Sequence, residues 1–336
     1  MRVALVLATP GTTWGGMEKH VAELSETLTS LGHQVHVLAH PAYQPRFPTA
    51  CFHPCPMNLG RRNPWLTWRI TRTLKQISPD TAHAHGNKAA SLLGRFRVGS
   101  WQTVGTAHGS KSNLRAFATL DKVIAVSRSI YEQIDHPRRY LVYNGANQEA
   151  AIGPPESHDF SAGLNVIAAG RLEPVKGFDK LIRSWPTLLA STPKPHLTIF
   201  GDGSEMERLK ALIRDSGVQN FVTLAGYRND LSDCIRHADL LVISSKREGF
   251  PYVLVESLLS ECPVVSTPVS GCIELLPDNA LASGFSTEAI GELVGNALSD
   301  LDTLRASEQQ AFTFARENLT LDAMAKATVE VYTSSL

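Results

Sequence analysis

Two glutamates stand eight positions apart in the segment KREGFPYVLVE. Glu248 falls in a predicted loop after a buried strand, and Glu256 falls on the helix that follows. Between them, Gly249 and Phe250 offer backbone N–H groups ahead of a helix N-terminus, which is a natural site for a phosphate group. Pro251 suits the first turn of that helix because it has no N–H to leave unsatisfied. These are parts that a nucleotide sugar requires, although an ordinary strand–loop–helix with two solvated glutamates is the alternative.

A second loop of the C-terminal half, GRLEPVKG, carries two cations. Arg171 and Lys176 stand five positions apart around a proline-containing turn, and Lys176 comes just before a predicted helix. A planar arginine fork and a lysine point charge suit two phosphate groups, and the helix dipole adds to their effect. A solvated basic loop is the alternative.

Two more predicted strand ends in this half could contribute to the same site. GDGS places Gly201 and Gly203 where a nucleobase could pack against exposed backbone, and Tyr227 follows at the next strand end. The carboxyl ends of parallel strands face the ligand crevice of an α/β sheet. Cations for a diphosphate and carboxylates for hydroxyl groups favour a sugar nucleotide over a dinucleotide or ATP.

The N-terminal half offers a glycine loop and a histidine at a strand end. The apolar run at 3–8 predicts a central parallel strand, and Gly15 and Gly16 in the next loop would let a ligand approach the backbone closely. The loop lacks the GxGxxG spacing of a dinucleotide site. His108, followed by Gly109, is the stronger candidate among the strand-end histidines, and a satisfied structural histidine is the alternative.

The segment RRNPWLTWRITRTLKQI predicts a basic helix. Trp65, Trp68, Ile70 and Leu74 approximate one face of it. A basic helix with two tryptophans resembles an interfacial membrane helix, and a core-packed helix with a solvated basic face is the alternative. The predicted membrane or acceptor contacts are Arg61, Arg62, Trp65, Trp68, Arg69 and Arg72.

Charge is divided unevenly along the 336 residues. Residues 1–150 carry 17 Lys and Arg against 8 Asp and Glu, whereas the remainder carries 15 against 24. A basic N-terminal half implies an anionic partner such as a phosphorylated lipid or a membrane surface. Nucleic acid is not expected, because no recognition motif accompanies the charge.

Cysteine usage and the N-terminus favour a cytoplasmic protein. The five cysteines are scattered, and the chain runs directly into a strand instead of a signal peptide. Cys51, His53 and Cys55 have no second pair to complete a metal site. No apolar run is long enough to span a bilayer, so we expect a soluble protein or a peripheral one on the cytoplasmic face of the inner membrane.

The motifs together resemble a known family. GGME, TAHG, VIAVS, YNGAN, GRLEPVKG, GDGSE and the E-x7-E pattern occur in the order typical of retaining GT-B glycosyltransferases of family 4, over nearly the whole chain. The resemblance implies an α/β protein with two Rossmann-like domains facing a cleft. It predicts an acceptor-binding domain at 1–150, a nucleotide-sugar-binding domain at 151–315, and a C-terminal helix at 316–336 that packs back on the first.

The resemblance also implies roles for the charged loops. Arg171 and Lys176 would hold the donor diphosphate, Glu248 would contact the transferred sugar, and Glu256 would contact the ribose. Retention would follow from attack on the face that the phosphate leaves, with the cations stabilising its developing charge. The family needs no metal, in agreement with the absence of a convincing DxD at a strand end.

Further roles and the substrates follow from the same resemblance. Gly16 would lie near the phosphates and His108 near the reacting sugar, while Glu18 matches the family loop with a less defined role. UDP is favoured over GDP or dTDP as the nucleotide. A lipopolysaccharide core acceptor is predicted, with an exopolysaccharide or polyprenyl-linked acceptor as the alternative. A phosphorylase-like or epimerase-like enzyme and a non-catalytic sugar-nucleotide-binding module remain as different classes.

Overall fold

The chain forms two compact α/β units. The computed structural model describes residues 1–12, 14–95, 99–109, 114–147, 163–190 and 194–335. One unit consists of Met1–Gly145 with Thr320–Leu336, and the other is Ala146–Leu319. The division at Gly145 lies close to the predicted boundary at 150, and the returning segment starts at Thr320 where 316 is predicted.

The N-terminal unit contains seven strands and five α-helices among its described residues. The strands are β1 (Arg2–Leu7), β2 (Gln34–Ala39), β3 (Cys51–Pro54), β4 (Thr81–His85), β5 (Gln102–Ala107), β6 (Lys122–Ala125) and β7 (Arg139–Leu141). The helices are α1 (Gly16–Ser30), α2 (Pro64–Ile77), α3 (Gly86–Arg95), α4 (Arg128–Gln133) and α13 (Leu321–Thr333), the last belonging to this unit although it ends the chain. All pairings in the sheet are parallel, in the order β3-β2-β1-β4-β5-β6-β7.

The core of this unit follows from its apolar runs. Val3 to Leu7 of β1 are fully buried, as a central strand covered on both faces requires. Leu5 pairs with Val37 on one side and with His83 on the other. The side chains of Met324 and Tyr332 on α13 belong to the same core, which holds the end of the chain on this unit.

The C-terminal unit contains five strands and eight α-helices among its described residues. The strands are β8 (Asn165–Ala169), β9 (His196–Phe200), β10 (Val222–Gly226), β11 (Leu240–Ile243) and β12 (Val264–Ser266). The helices are α5 (Phe178–Leu188), α6 (Met206–Asp215), α7 (Leu231–Arg236), α8 (Tyr252–Leu259), α9 (Cys272–Leu275), α10 (Thr287–Ser299), α11 (Leu301–Ser307) and α12 (Gln309–Asn318). The parallel sheet has the order β10-β9-β8-β11-β12.

Two details depart from the sequence-based expectations. The prolines of the segment 41–63 predict an irregular connection, but the segment contains β3, which pairs with β2 from His36↔Cys51 to Ala39↔Pro54. The amphipathic pattern of the sequence predicts a helix at 21–31, whereas α1 begins earlier, at Gly16. The polar stretch 147–163, whose paired prolines predict a linker between the domains, lies almost entirely outside the described residues. None of the described helices is both long and apolar enough to cross a bilayer.

Candidate functional site

The strand order of the C-terminal unit places two loops side by side. β8 lies between β9 and β11, so the loops that leave β8 and β11 start side by side at the carboxyl end of the sheet, at the point where the strand order reverses. Parallel α/β sheets bind ligands at such switch points. Here Lys176 Nζ lies 2.7 Å from Glu248 Oε1 in an ion pair. The structure thus brings together two of the predicted site residues.

Two serines at the end of β11 hold this pair. Ser245 donates its hydroxyl to Glu248 Oε1 at 2.6 Å, and Ser244 donates to the backbone carbonyl of Lys176 at 2.8 Å. Both serines are buried. The two donors to Glu248 share Oε1, so Oε2 accepts no hydrogen bond from the described residues and can receive one from a ligand hydroxyl. The sequence signal for these positions is the pair of hydroxyls directly after an apolar strand, which the sequence analysis missed.

Gly177 explains why the loop after β8 can pass so close to β11. Its φ is +68°, in the left-handed region that favours glycine. A Cβ at this position would lie 2.1 Å from the carbonyl oxygen of Ser244. Only glycine therefore allows the backbone contact that places Lys176 beside Glu248.

Arg171, the second predicted cation, lies at the start of the same loop. Its side chain is exposed, and among the described residues it makes no ion pair or side-chain hydrogen bond. Its donors are therefore available to an anion. Arg171 and Lys176 differ in this respect, because the lysine charge is already balanced by a carboxylate.

The predicted glycines after β9 join the neighbouring loops together. The N–H of Gly170 bonds to the carbonyl of Phe200, and the N–H of Gly201 bonds to the carbonyl of Gly226. A Cβ on Gly201 would lie 1.9 Å from the Gly170 carbonyl oxygen, and one on Gly203 would lie 2.5 Å from the carbonyl oxygen of Leu172. Gly201 and Gly203 are therefore needed for the packing of backbone on backbone.

Tyr227 is an exposed aromatic residue among the predicted site residues of this unit. It follows Gly226 at the end of β10, and 57% of its surface is accessible. The ring stands next to the bonded loops as a surface on which a planar group could stack. Its role in binding stays a prediction.

The segment between the two glutamates is more buried than a solvated loop. Helix α8 begins at Tyr252, and Pro251 is the residue that caps it, one position outside the helix that it was predicted to open. Phe250 is buried, and a Cβ on Gly271 would lie 2.8 Å from its ring, whereas Gly249 is partly exposed.

Both glutamates of the segment are shielded from solvent. Glu256 lies on the buried face of α8, 5% exposed, and the side chain of Glu248 is 13% exposed. The alternative of two solvated glutamates is therefore wrong. A role in ligand binding stays a prediction for both residues and for the segment between them.

The glycine loop of the N-terminal unit starts a helix at that sheet's own switch point. Gly15 caps α1, and its N–H is accepted by the carboxylate of Glu18 at 3.0 Å. Glu18 is buried, so this contact assigns it a structural role at the start of the helix. A ligand contact at Gly15 or Gly16 stays a prediction.

His108 lies in a group of histidines at the carboxyl end of the N-terminal sheet. Its Nε2 lies 3.2 Å from His85 Nδ1, and its ring centroid lies 4.6 Å from that of His20. Burial, with the neighbouring imidazoles second, lowers the pKa of His85 and His108 well below the usual value. Burial lowers the pKa of His20 to about 4, against the opposing effect of its hydrogen bond to Asn144. The imidazoles are neutral at physiological pH.

Three members of this group have the chemistry of metal ligands. Ligand atoms of His20, His85 and His108 all lie within 4.8 Å of one another. Neutral imidazoles of this kind could hold a borderline transition-metal ion such as zinc. The sequence analysis singled out His108 alone, although His20 lies in the GGMEKH motif and His85 also precedes a glycine.

The basic helix presents its tryptophans to solvent. Trp65 and Trp68 are 54% and 51% exposed, and the Arg72 guanidinium lies 5.2 Å from the Trp68 ring centre. The predicted face that combines them with Ile70 and Leu74 is wrong, because those two residues are buried on the opposite side. Arg61, Arg62 and Arg72 are exposed and Arg69 is partly exposed. The alternative of a core-packed helix with a solvated basic face holds for Ile70, Leu74 and the arginines, and it is wrong only for the two tryptophans.

Two family models match successive parts of the chain. Residues 158–312 match the glycosyl transferases group 1, and residues 14–149 match glycosyltransferase family 4. The chain belongs to the family 4, or group 1, glycosyltransferases. The predicted α/β class and GT-B fold are confirmed by solved structures of such enzymes.

Curated relatives of the chain include two enzymes named for lipopolysaccharide. The lipopolysaccharide 1,6-galactosyltransferase of Salmonella typhimurium is 26% identical over 68% of this chain and 67% of its own length. The lipopolysaccharide core biosynthesis glycosyltransferase LpsE of Rhizobium meliloti is 26% identical over 78% of this chain and 80% of its own.

A solved structure of similar fold is that of Alr3699/HepE from Anabaena. In its complex with UDP-glucose it superposes with a TM-score of 0.80 over the full length of both chains, at 18% identity. At this identity the likeness establishes the fold alone.

Proposed function

We propose that this glycosyltransferase moves a hexose-type sugar from a nucleotide sugar, with UDP as the favoured nucleotide, to an anionic, membrane-associated acceptor in lipopolysaccharide core biosynthesis. The observation that carries the donor half of the proposal is the Lys176–Glu248 pair at the switch point, with the exposed Arg171 on the same loop. The names of the relatives support the acceptor half. UDP-glucose bound to a protein of the same fold supports the nucleotide.

The proposed chemistry uses the charges of the two loops. Arg171 and Lys176 stabilise the charge that develops on the departing diphosphate, which is the role that a metal ion has in other transferases. Glu248 Oε2 accepts a hydrogen bond from a hydroxyl of the transferred sugar, because Oε1 already accepts hydrogen bonds from Lys176 and Ser245. The acceptor hydroxyl attacks from the face that the phosphate leaves, so the configuration of the sugar is retained and the phosphate takes the proton.

A direct test is turnover with a panel of UDP-, GDP- and dTDP-sugars and lipopolysaccharide core acceptors. We expect transfer from a UDP-hexose, at a rate that EDTA does not change. NMR of the product should show the anomeric configuration of the donor. Arg171→Ala should lower kcat at least about 10²-fold, as the loss of one charge-stabilising donor does. Arg183→Ala, which removes another exposed arginine of this unit, on α5, is the matched control. Inversion at the anomeric carbon would contradict the mechanism. Nucleotide binding without transfer to any acceptor would favour the non-catalytic module.

The exposed helix α2 is the proposed membrane contact. Two exposed tryptophans flanked by Arg61, Arg62 and Arg72 have the composition of a helix that lies in an anionic interface. A Lys or Arg near such a surface contributes roughly 1 kcal/mol. The contact would place the enzyme on the cytoplasmic face of the inner membrane, next to its acceptor.

Vesicle co-sedimentation measures this contact. The chain should bind phosphatidylglycerol vesicles more tightly than phosphatidylcholine vesicles, and salt should weaken the binding. The double variant Trp65→Ala, Trp68→Ala should bind at least about tenfold more weakly, while Leu31→Ala, which removes another exposed apolar side chain of this unit, should bind normally. Equal binding of both variants would exclude α2 as the contact.

A further inference from the structure

Four histidines of the N-terminal unit form one buried network. His83 and His85 are on β4, His20 is on α1, and His108 follows β5. The first three are buried, and only His108 is partly exposed. Neighbouring ring centroids lie 4.2 Å apart for His83 and His85 and 5.5 Å apart for His85 and His108. The network therefore leads from the core of the unit to one partly exposed residue, His108.

The inner members of the network are fixed by partners outside it. His83 bonds to the Tyr332 hydroxyl through Nδ1 and to the Thr106 hydroxyl through Nε2, each at 2.7 Å. His20 Nδ1 lies 3.1 Å from the side-chain oxygen of Asn144, which can only accept, so Nδ1 of His20 carries the proton. These contacts leave little freedom for the rings between them.

The protonation of His85 follows from its two nitrogens. Nδ1 lies 3.2 Å from His108 Nε2, whereas Nε2 is buried and has no partner among the described residues. A neutral imidazole has one N–H, and a buried N–H without an acceptor is rarer and costlier than an unused lone pair. The proton therefore belongs on Nδ1, which donates to His108 Nε2.

We propose that His85 is a positioning residue that holds His108 in its neutral Nδ1–H tautomer, so that His108 presents an N–H donor to an oxygen of the substrate that the N-terminal unit binds. The inference rests on the proposed function in taking the chain to be a glycosyltransferase whose substrate contacts His108. The tautomer itself follows from the described geometry alone. His108 then acts as a hydrogen-bond donor, and not as a base.

A bound metal ion is the competing explanation of the same cluster. An ion between His20, His85 and His108 would replace the proton shared by His85 and His108. The two arrangements are distinguishable, because nitrogen NMR of the imidazole rings reports whether each nitrogen is protonated, unprotonated or metal-bound. Metal analysis of the purified protein gives the stoichiometry independently.

Variants of His85 test the positioning role. In His85→Asn the amide N–H lies near the place of Nδ1 and can still donate to His108, whereas His85→Leu keeps the bulk and loses the donor. We expect His85→Leu to lower kcat by about 10- to 100-fold with little change in KM for the nucleotide sugar, as a misplaced catalytic group does. His85→Asn should restore kcat to within a few-fold of the wild type.

The spectra and a second variant separate the possible failures. The wild type and His85→Asn should show His108 protonated at Nδ1, and this measurement on the wild type stands even if His85→Leu does not fold. Protonation of His108 at Nε2, stoichiometric metal in the cluster, or normal kcat in His85→Leu would overturn the inference. If His108→Ala itself turns over normally, the substrate contact of His108 is refuted while the proposed transferase function stands, and the NMR result still decides the tautomer.

Discussion

Replacing Gly177 by alanine tests how the loop after β8 holds Lys176. The backbone at Gly177 has φ +68°, and an added Cβ would lie 2.1 Å from the carbonyl oxygen of Ser244. Gly217, which follows α6, provides a matched control with φ +67° and no atom within 4 Å of its added Cβ. Both substitutions carry the conformational cost of a left-handed residue, about 1 kcal/mol. Only Gly177→Ala adds a collision with backbone.

The size of the additional effect follows from that distance. Real Cβ atoms essentially never approach within 3.0 Å, so either the loop or β11 must move by about 1 Å. Relieving overpacking of this kind costs about 1–3 kcal/mol, which gives a total of about 2–4 kcal/mol for Gly177→Ala against about 1 kcal/mol for Gly217→Ala. Because Ser244 also bonds to the carbonyl of Lys176, the movement displaces the ion pair, and a displacement of 1 Å can cost about 10²-fold in rate.

Denaturant unfolding and transferase turnover of the two variants measure these effects. We expect the larger loss of unfolding free energy in Gly177→Ala, together with a fall in kcat that Gly217→Ala does not share. Equal losses of stability and equal turnover would refute the claim that the Gly177 contact positions Lys176.

Three further predictions concern single side chains. Burial raises the pKa of Glu308 from 4.5 to about 8. The stability that the protonated group contributes is therefore complete below pH 4.5 and is lost as pH rises towards 8, at up to about 1.4 kcal/mol per pH unit. Glu308→Gln should flatten the pH profile of the unfolding free energy over this range, and parallel profiles of the two proteins would exclude Glu308 as the cause. Ser245→Ala should lower kcat about tenfold and Ser245→Thr should restore part of it, because the hydroxyl orients Glu248; unchanged turnover in the alanine variant would make the bond incidental. Lys122 is fully buried and donates to the carbonyls of Val331 and Ser334 at the end of α13, so Lys122→Met should lower the unfolding free energy by about 1–3 kcal/mol, and an unchanged denaturation midpoint would argue against this anchor.

Most of the candidate site that the sequence predicts lies in loops that follow predicted strands. Apolar runs bounded by glycine and charge identified the loops that contain Lys176 and Glu248, and parallel topology explains why these loops meet. Ser245 and His85 were missed because their importance depends on partners. One hydroxyl and one imidazole become informative only when the fold places Glu248 and His108 beside them.

The basic helix shows where a periodicity argument failed. Approximate helical spacing groups the tryptophans with Ile70 and Leu74 on one face. The buried apolar side chains are instead Leu66, Ile70, Leu74 and Ile77, which follow one stripe of the helix. Asn63 fixes the helix start by accepting the N–H groups of Trp65 and Leu66, so the stripe and the cap agree on this orientation. A large apolar residue next to an apolar stripe can belong to a binding surface.

The central claim is that the C-terminal unit binds a nucleoside diphosphate through the loop after β8. Thermal unfolding of the wild type, Arg171→Ala and the control Arg183→Ala with UDP, GDP and dTDP tests it most directly, because both arginines are exposed and neither variant should disturb folding. A ligand that binds only the folded state adds about 2.7 kcal/mol of stability at 100 times its Kd. We predict that UDP stabilises the wild type and Arg183→Ala and loses most of this effect with Arg171→Ala. A full response to UDP in Arg171→Ala, or no response of the wild type to any of the three nucleotides, would contradict the account.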